Sequence, residues 1–301
     1  MARRGGDIVA VTGASGKLGA SLALRLAAEG AQQRLIVRDL GRVPRLSTGV
    51  VLPDADVAVV DSYADGDAMR RALEGVRTLF LVSGREAKDR VDQHRSAVDA
   101  AVAAGVERVV YTSFVGAAPD AVFTLARDHW ATEEHLRRSS LRCTFLRDNL
   151  YHHVLTTFVQ EDGVIRGPAG DGRVASVSHD DVADVATAVL LDEREGVHDG
   201  RIYELTGPEA ITLTQAAATL AELTGRPIRY ETQTEEEAYA SRAGSDVERD
   251  VVQGWVTSYQ AIAAGTFERV SGDVARLVGR PARSFADWLD DFPDQWSHLL
   301  S

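Results

Sequence analysis

Short apolar runs alternate with longer amphipathic segments along the first half of the chain. Apolar runs bounded by glycine or polar residues are typical of strands buried on both faces of a parallel sheet. The predicted strands cover residues 8–11, 35–37, 57–60, 78–82, 108–112 and 142–146. The segments between them repeat apolar residues at helical spacing and predict helices over 20–28, 65–73, 90–104 and 121–138. This alternation predicts an α/β protein with a doubly wound parallel sheet.

The pattern loosens in the second half of the chain. Residues 148–172 combine aromatic residues, histidines and glycines without a clear period and are predicted to form a long loop, whose closure over a ligand stays open. A strand end and a helix follow over 177–191, with Asp180 or Asp181 as the helix cap, and then a strand over 202–205. Further helices are predicted to start at Thr214 and at Thr234, the second through a capping box.

These elements divide the chain into two predicted domains. Residues 1–150 form the sheet domain, to which residues 177–205 return. Residues 151–176 and 206–301 form a smaller α/β C-terminal lobe, and a substrate cleft is expected between the two parts.

Composition limits the classes of protein to which the chain can belong. Its 301 residues are 45% hydrophobic, and no stretch is long and apolar enough to cross a membrane. Its one cysteine, Cys143, excludes an internal disulfide. A net charge of −12 disfavours nucleic acid as a partner. We expect a cytoplasmic protein with no membrane partner, and the sequence leaves a homo-oligomer open.

The turn that follows the first strand carries the most specific chemical signal. Gly13, Gly16 and Gly19 punctuate the passage from strand to helix. The first glycine permits a tight turn, the second lets the backbone approach a diphosphate, and the third lets the helix pack on the sheet. The free N–H groups of the helix N-terminus then attract the phosphates. The sequence therefore predicts a Rossmann-type dinucleotide site formed by Gly13, Ala14, Ser15, Gly16, Lys17, Leu18 and Gly19.

The residue after the second strand selects the cofactor. Arg38 stands at the position that lies beside the adenosine ribose, about 20 residues beyond the glycines. An arginine suits a 2′-phosphate, whereas a carboxylate there binds the free 2′-hydroxyl of NAD. Asp39 follows directly, so NAD stays open, but the pattern favours NADP(H).

The carboxyl ends of parallel strands meet at one edge of the sheet, where ligands bind. This topology predicts that the glycine turn and Arg38 share that edge with the residues that end the other strands. Those residues are Asp61 to Tyr63, Val82, Ser83, Gly84, Thr112 and Ser113.

Several segments resemble one family. They are TGASGKLG, LIVRD, LFLVSG, DQHRSAVDAAVAAGVERVVYTSF, ARDHWATEEHL, LRCTFLRDNLY and LVGRPARSFADWL. Together they resemble the NmrA-like group of atypical short-chain dehydrogenase/reductases, and within it bacterial NADPH-dependent quinone oxidoreductases. The resemblance covers most of the chain and is most specific over residues 93–151. The sequence Asp61-Ser62-Tyr63 departs from the pattern usual in that family, so the resemblance does not identify the residue that contacts the adenine.

The resemblance implies roles for particular residues. It implies NADP binding by the glycine turn and Arg38, with the nicotinamide near Ser83 and Thr112-Ser113. It further implies a substrate pocket bordered by Phe114, His129, Asn149 and Tyr151.

The usual proton donor of short-chain reductases is missing. Those enzymes use a tyrosine whose pKa is lowered by a lysine four residues later. The lysines of this chain are Lys17 and Lys88, and neither follows the fifth strand. By the resemblance, Leu125 and His129 fill the two positions.

A quinone is an acceptor that needs less acid catalysis, because hydride transfer to it produces a resonance-stabilised anion. We therefore expect an oxidoreductase that passes hydride from NADPH to a quinone-like small molecule. His129 or Tyr151 would supply a proton or a hydrogen bond, and these two residues are the catalytic candidates.

Other functions stay open at this point. His129 has a second interpretation as a cofactor-binding residue, because a neutral imidazole can orient the ribose by a hydrogen bond without transferring a proton. Tyr151 has a second interpretation as pocket wall. No metal site is expected, because the adjacent His152 and His153 diverge and no matching ligand cluster accompanies them. A dinucleotide-binding redox sensor without turnover, or a tailoring reductase of a specialised metabolite, would fit the same fold.

Overall fold

The computed structural model describes residues 7–50, 52, 55–242 and 248–300. In chain order its strands are β1 (Ile8–Val11), β2 (Gln33–Val37), β3 (Ala55–Val59), β4 (Val76–Leu81), β5 (Arg108–Phe114), β6 (Arg142–Asp148), β7 (Val164–Gly167), β8 (Arg173–Val174), β9 (Ile202–Leu205), β10 (Ile211–Thr212) and β11 (Arg229–Thr232). The helices are α1 (Lys17–Ala28), α2 (Gly66–Ala72), α3 (Arg90–Ala103), α4 (Thr124–Arg138), α5 (His152–Thr157), α6 (His179–Leu191), α7 (Leu213–Thr224), α8 (Glu235–Ala240), α9 (Arg249–Ala263), α10 (Asp273–Val278) and α11 (Phe285–Asp291).

A seven-stranded sheet confirms the predicted α/β class. Its strand order is β3-β2-β1-β4-β5-β6-β9. β1 pairs in parallel with β2 and β4, β2 with β3, and β4 with β5. The order from β3 to β6 matches that of the dinucleotide-binding Rossmann fold.

The chain divides into two compact units of nearly equal size. The first contains Met1–Ser113, Asp128–Arg147 and Val182–Tyr203. The second contains Phe114–Arg127, Asp148–Asp181 and Glu204–Ser301. This division differs from the sequence-based one mainly because residues 114–127, from the end of β5 to the first turn of α4, group with the second unit.

Each unit has its own apolar core. In the first, β1, β4 and β5 contribute Ala10, Leu79 and Val109, which cluster with residues of α2, α3 and β6. In the second, residues from α5, β7, α7, α9 and α11 cluster around Leu155, Phe267 and other buried apolar side chains. Buried alanines of α3 also belong to the first cluster.

The predicted loop over residues 148–172 is partly wrong. This segment contains α5 and β7, and β7 pairs in parallel with β11. Its partner strand lies far along the chain, so no local periodicity marks it. Leu155 of α5 and Ile165 of β7 are fully buried in the second core.

Two helix caps also differ from the prediction. Thr212, not Thr214, caps α7, and it forms a capping box with Gln215. At the start of α6 the hydroxyl of Ser178, not an aspartate, accepts the N–H of Asp181 at 2.9 Å. The buried carboxylate of Asp181 pairs instead with Arg280 at 2.7 Å. The capping box at Thr234 is confirmed.

In the described ranges, no helix combines the length and the apolar character needed to cross a membrane.

Candidate functional site

The turn between β1 and α1 requires glycine for two separate reasons. Gly13 adopts a φ of +58°, a left-handed conformation that side chains disfavour. A Cβ atom at Gly19 would lie 2.3 Å from the carbonyl oxygen of Gly13, which is closer than any real contact. At Gly16 the corresponding distance is 3.2 Å, so that position is tight but less restricted. The first turn of α1 therefore packs directly against the end of β1.

The N-terminus of α1 has no competing anion of its own. Its cap residue, Gly16, contributes no side-chain hydrogen bond, and the first turn contains no acidic residue. The unsatisfied N–H groups and the helix dipole make such a terminus favourable for phosphate. The geometry therefore fits a dinucleotide diphosphate.

Arg38 and Asp39 at the end of β2 differ in how their side chains are engaged. One carboxylate oxygen of Asp39 accepts the N–H of Gly41 at 2.8 Å and caps the short 3₁₀ turn Leu40–Arg42. Arg38 is exposed, and within the described residues it has no hydrogen bond or ion pair. The guanidinium is thus available to a 2′-phosphate, while Asp39 is partly committed to the turn.

Hydroxyl groups join the ends of β1, β4 and β5. The Thr12 hydroxyl accepts the N–H of Val82 at 2.9 Å and lies 2.7 Å from the Tyr63 hydroxyl, which donates to it. The Thr112 hydroxyl accepts the N–H of Ser83 at 2.7 Å. Burial raises the pKa of Tyr63 to about 12, so it stays a neutral donor. These contacts set the shape of the predicted edge, with exposed Asp61 two residues before Tyr63.

A cluster of buried polar residues packs against the loop that follows β4. The His94 ring accepts the N–H of Gly84 at 2.8 Å, and Arg90 donates to the Gly84 carbonyl at 2.8 Å. Arg90 also contacts Asp128 at 3.4 Å and the Nε2 atom of His129 at 2.9 Å. Burial, aided by the charge of Arg90, lowers the pKa of His94 to about 3. The cluster holds the Ser83-Gly84 loop against α3 and α4.

His129 is engaged at both ring nitrogens. Arginine can only donate, so Nε2 accepts from Arg90 and carries no proton. Nδ1 then bears the hydrogen and lies 3.0 Å from the Tyr111 hydroxyl. Burial first, and then the charge of Arg90, holds the pKa of His129 well below its usual range. The imidazole of His129 is therefore neutral and oriented, and only 5% of the residue is exposed.

Ser113 belongs to a second buried cluster, centred on Glu133. The fully buried carboxylate of Glu133 accepts from Ser113 at 2.6 Å, from Arg147 at 2.7 and 2.8 Å, and from Arg137 at 2.7 Å. Two guanidinium groups thus neutralise one buried carboxylate. The Ser113 hydroxyl uses its proton in this cluster and keeps its lone pairs for other donors.

The predicted substrate-side residues Phe114, Asn149 and Tyr151 lie in the second unit. Phe114 packs edge to face on Phe123 and Phe267, with ring centroids 5.1 and 5.3 Å apart. Asn149 donates to the Phe267 carbonyl at 2.9 Å and accepts the N–H of Leu150 at 2.8 Å. The amide nitrogen and the carbonyl oxygen of the Asn149 side chain both bind backbone groups. Its role in substrate binding stays a prediction.

Tyr151 is hydrogen-bonded to a buried carboxyl group. Its hydroxyl donates to Oδ2 of Asp148 at 2.5 Å, and its ring stacks on His179 with centroids 3.8 Å apart. Burial raises the pKa of Asp148 to about 8. Burial, and then the neighbouring Asp148, raises the pKa of Tyr151 well above its usual value. The pair therefore retains its protons at neutral pH.

All of the predicted cofactor residues lie in the first unit, and the structure adds residues that the sequence did not predict. The missed residues are Arg90, His94, Tyr111, Glu133 and Asp148, all of them buried. A charged residue inside an apolar pattern, such as Asp148 at the end of β6, is the one signal that could have marked them.

The chain is similar to known proteins over most of its length. The chain is 32% identical to quinone oxidoreductase 2 of Escherichia coli over 93% of this chain and 96% of that protein. It is 34% identical to a (4-alkanoyl-5-oxo-2,5-dihydrofuran-3-yl)methyl phosphate reductase of Streptomyces griseus, with the same coverage. The crystal structure of an Escherichia coli NADPH-dependent quinone oxidoreductase complexed with NADPH superposes with a TM-score of 0.81 at 31% identity, covering 97% of this chain and all of that one.

The family model described as the NmrA-like family matches residues 6–263. That match spans the glycine turn, the sheet and most of the second unit, and we conclude that this chain belongs to the NmrA-like family.

Proposed function

We propose that the protein is an NADPH-dependent oxidoreductase that transfers hydride to a quinone or to a similar conjugated carbonyl compound. Two structural features support the proposal: the turn at Gly13–Gly19, which suits a diphosphate, and the exposed Arg38, which can bind a 2′-phosphate. They occur in a chain that is 32% identical to a quinone oxidoreductase over 93% of its length.

The first unit contains the groups that would hold the cofactor. The N-terminus of α1 would bind the diphosphate, and Arg38 would bind the 2′-phosphate. Ser83, Gly84 and Thr112, whose positions are set by the hydrogen bonds at the ends of β4 and β5, would line the nicotinamide. When bound, the reduced nicotinamide supplies the hydride.

The chain offers two groups for the proton that accompanies the hydride. Both ring nitrogens of His129 are hydrogen-bonded, and its pKa lies well below its usual value. We therefore favour a hydrogen-bonding role for His129 over proton transfer. Tyr151 is partly exposed and neutral, so it is the proposed donor. No lysine stands four residues after a tyrosine in this chain, and acceptors that need a strong acid, such as simple ketones, are therefore not expected substrates.

A second candidate acceptor is a conjugated lactone. It is favoured by the relative from Streptomyces griseus, whose name describes reduction of a dihydrofuranone that bears a methyl phosphate. Such a compound accepts hydride at one conjugated carbon and a proton at the neighbouring carbon. As with a quinone, the cofactor would supply the hydride and the protein the proton. The two candidates differ in the acceptor, not in the cofactor site.

The test is NADPH oxidation by the purified protein with benzoquinones, naphthoquinones and an alkanoyl dihydrofuranone with and without its phosphate. NADH is run alongside. We expect turnover with NADPH in preference to NADH. The variant Arg38→Ala should lose that preference, whereas Arg71→Ala, an exposed arginine of α2, should keep it.

The outcomes separate the candidate functions. Turnover confined to the quinones supports quinone reduction, and turnover confined to the furanones supports the tailoring reductase. Tight NADPH binding without oxidation by any acceptor would contradict the proposal and point to a sensor. An unchanged NADPH/NADH ratio in Arg38→Ala would contradict the assignment of the 2′-phosphate site.

A further inference from the structure

Asp148 is a carboxyl group enclosed by protein at the end of β6. Only 3% of the residue is exposed. Its Oδ2 atom is 2.5 Å from the Tyr151 hydroxyl, and its Oδ1 atom is buried without a hydrogen-bond partner among the described residues. Every other fully buried carboxylate discussed above is paired with arginine, as Glu133 and Asp181 are. Asp148 thus has an environment that suits a neutral acid and not an anion.

The hydroxyl of Tyr151 has two ways to use its contact with Asp148. In the structure it donates to Oδ2. If the hydroxyl turns its proton to a ligand oxygen, a protonated Oδ2 can donate to the phenol oxygen across the same short distance. Tyr151 alone is a weak acid with a raised pKa, so it can give up its proton readily only when another proton replaces it.

We infer that Asp148 is the proton store for Tyr151, so that the pair Asp148–Tyr151 replaces the tyrosine–lysine pair of other short-chain reductases. This inference rests on the proposed function for the identity of the reaction. Asp148 is a positioning and proton-holding residue that acts through Tyr151.

The proton transfers balance with the hydride transfer of the proposed reaction. A quinone takes up hydride from NADPH and one proton to become a hydroquinone. The proton passes from the Tyr151 hydroxyl to the quinone oxygen, and the O–H bond of Asp148 breaks as its proton moves to the phenol oxygen. Asp148 is left as a carboxylate and regains a proton from solvent before the next turnover.

Burial is the strongest influence on the protonation of Asp148. The hydrogen bond from Tyr151 lowers the pKa of Asp148. Burial raises that pKa by more, and the net result is a pKa of about 8. His179 from α6 stacks on the Tyr151 ring, and His153 from α5 lies 4.7 Å from His179, measured between ring centroids. A positive charge on either ring would favour the carboxylate, so substitution of His179 is part of the test.

The experiment compares quinone reduction by the wild type, Asp148→Asn, Tyr151→Phe and the double variant between pH 5 and 9.5. Asparagine keeps an acceptor for the Tyr151 hydroxyl but holds no transferable proton. We expect the wild-type kcat to be constant below about pH 7 and to fall as the pH passes 8. Asp148→Asn and Tyr151→Phe should each lower kcat at least tenfold, with little further loss in the double variant, because the two residues act in one relay.

The matched control is Asp290→Asn, an exposed aspartate of the second unit, which should leave kcat and its pH profile unchanged. His179→Asn should not lower the pH above which kcat falls, because it removes a ring whose positive charge would favour the Asp148 carboxylate. NADPH affinity is measured for every variant, so that loss of cofactor binding is separated from loss of proton transfer.

Failure of the inference and failure of the proposed function give different results. If the wild type is active and Asp148→Asn has the same kcat and pH profile, Asp148 is not the proton store, but the proposed quinone reduction still holds. A wild type without turnover overturns the proposed function. If Asp148→Asn does not fold, infrared spectroscopy of the wild type decides the protonation state, because a neutral buried carboxyl absorbs separately from a carboxylate. Absence of that band at pH 7, or its persistence without change to pH 9.5, also overturns the inference.

Discussion

Replacing Asp148 by asparagine should stabilise the protein at neutral pH, although the change removes the proposed proton store. The folded state raises the pKa of this carboxyl group from 3.8 to about 8 because the group is buried. At pH 7 the unfolded chain releases the proton and the folded protein keeps it. Wild-type folding therefore takes up a proton that is scarce at this pH, and asparagine avoids that cost.

The magnitude follows from the pKa shift. Each pH unit above the unfolded pKa costs about 1.4 kcal/mol, so the free energy of unfolding of Asp148→Asn should exceed the wild-type value by about 4 kcal/mol at pH 7. The difference should vanish near pH 4, grow as the pH rises, and level off above about pH 8 at about 6 kcal/mol. The amide and the neutral acid each leave one buried polar atom unpaired, so that cost largely cancels.

The assay is urea unfolding without NADPH, because a bound cofactor would stabilise the folded state through mass action. Tryptophan fluorescence is a suitable signal, since Trp288 and Trp296 are buried in the core of the second unit, to which Asp148 belongs. Subtracting the variant from the wild type at each pH removes the titrations that both share. A difference independent of pH from 4 to 9, or a wild type that is the more stable protein at pH 7, would refute the reasoning.

Substitutions of Arg38, Gly19 and Glu133 should each change a different property of the protein. Arg38→Ala should lower the NADPH/NADH affinity ratio at least tenfold through loss of a charge-assisted hydrogen bond, and Asp39→Ala should preserve it, as fluorescence titration would show. Gly19→Ala should abolish NADPH binding because its Cβ would meet the Gly13 carbonyl at 2.3 Å, and wild-type affinity in that variant would be a contrary result. Glu133→Gln should destabilise the protein by about 3–5 kcal/mol, because it leaves Arg147 and a second guanidinium without their buried counter-charge. Thermal unfolding measures that loss, and a melting temperature equal to that of the wild type would contradict it.

Local sequence signals predicted much of the first unit. Strands β1, β2, β4, β5 and β6 appear within one or two residues of their predicted bounds, because a buried strand needs a continuous apolar run whatever its neighbours are. The glycine turn was equally visible, since the left-handed φ at Gly13 and the close approach at Gly19 depend on a few adjacent residues. Arg38 and Asp39 were predicted from their distance to that turn.

Distant packing accounts for what the sequence did not show. Strand β7 was missed because it is held by β11, far along the chain. The caps at Thr212 and Ser178 are different, because each is formed with a residue three positions later and was therefore marked by a local signal.

The chemistry of the candidate site divides along the same line. Residue order and spacing were enough for the dinucleotide turn and for the absence of a tyrosine–lysine pair, because these are properties of neighbouring residues. The neutral state of His129, the pairing of Glu133 with Arg147 and the raised pKa of Asp148 required the folded chain. Protonation depends on how far water is excluded and on which charges approach, and both are settled by residues that meet only when the protein folds.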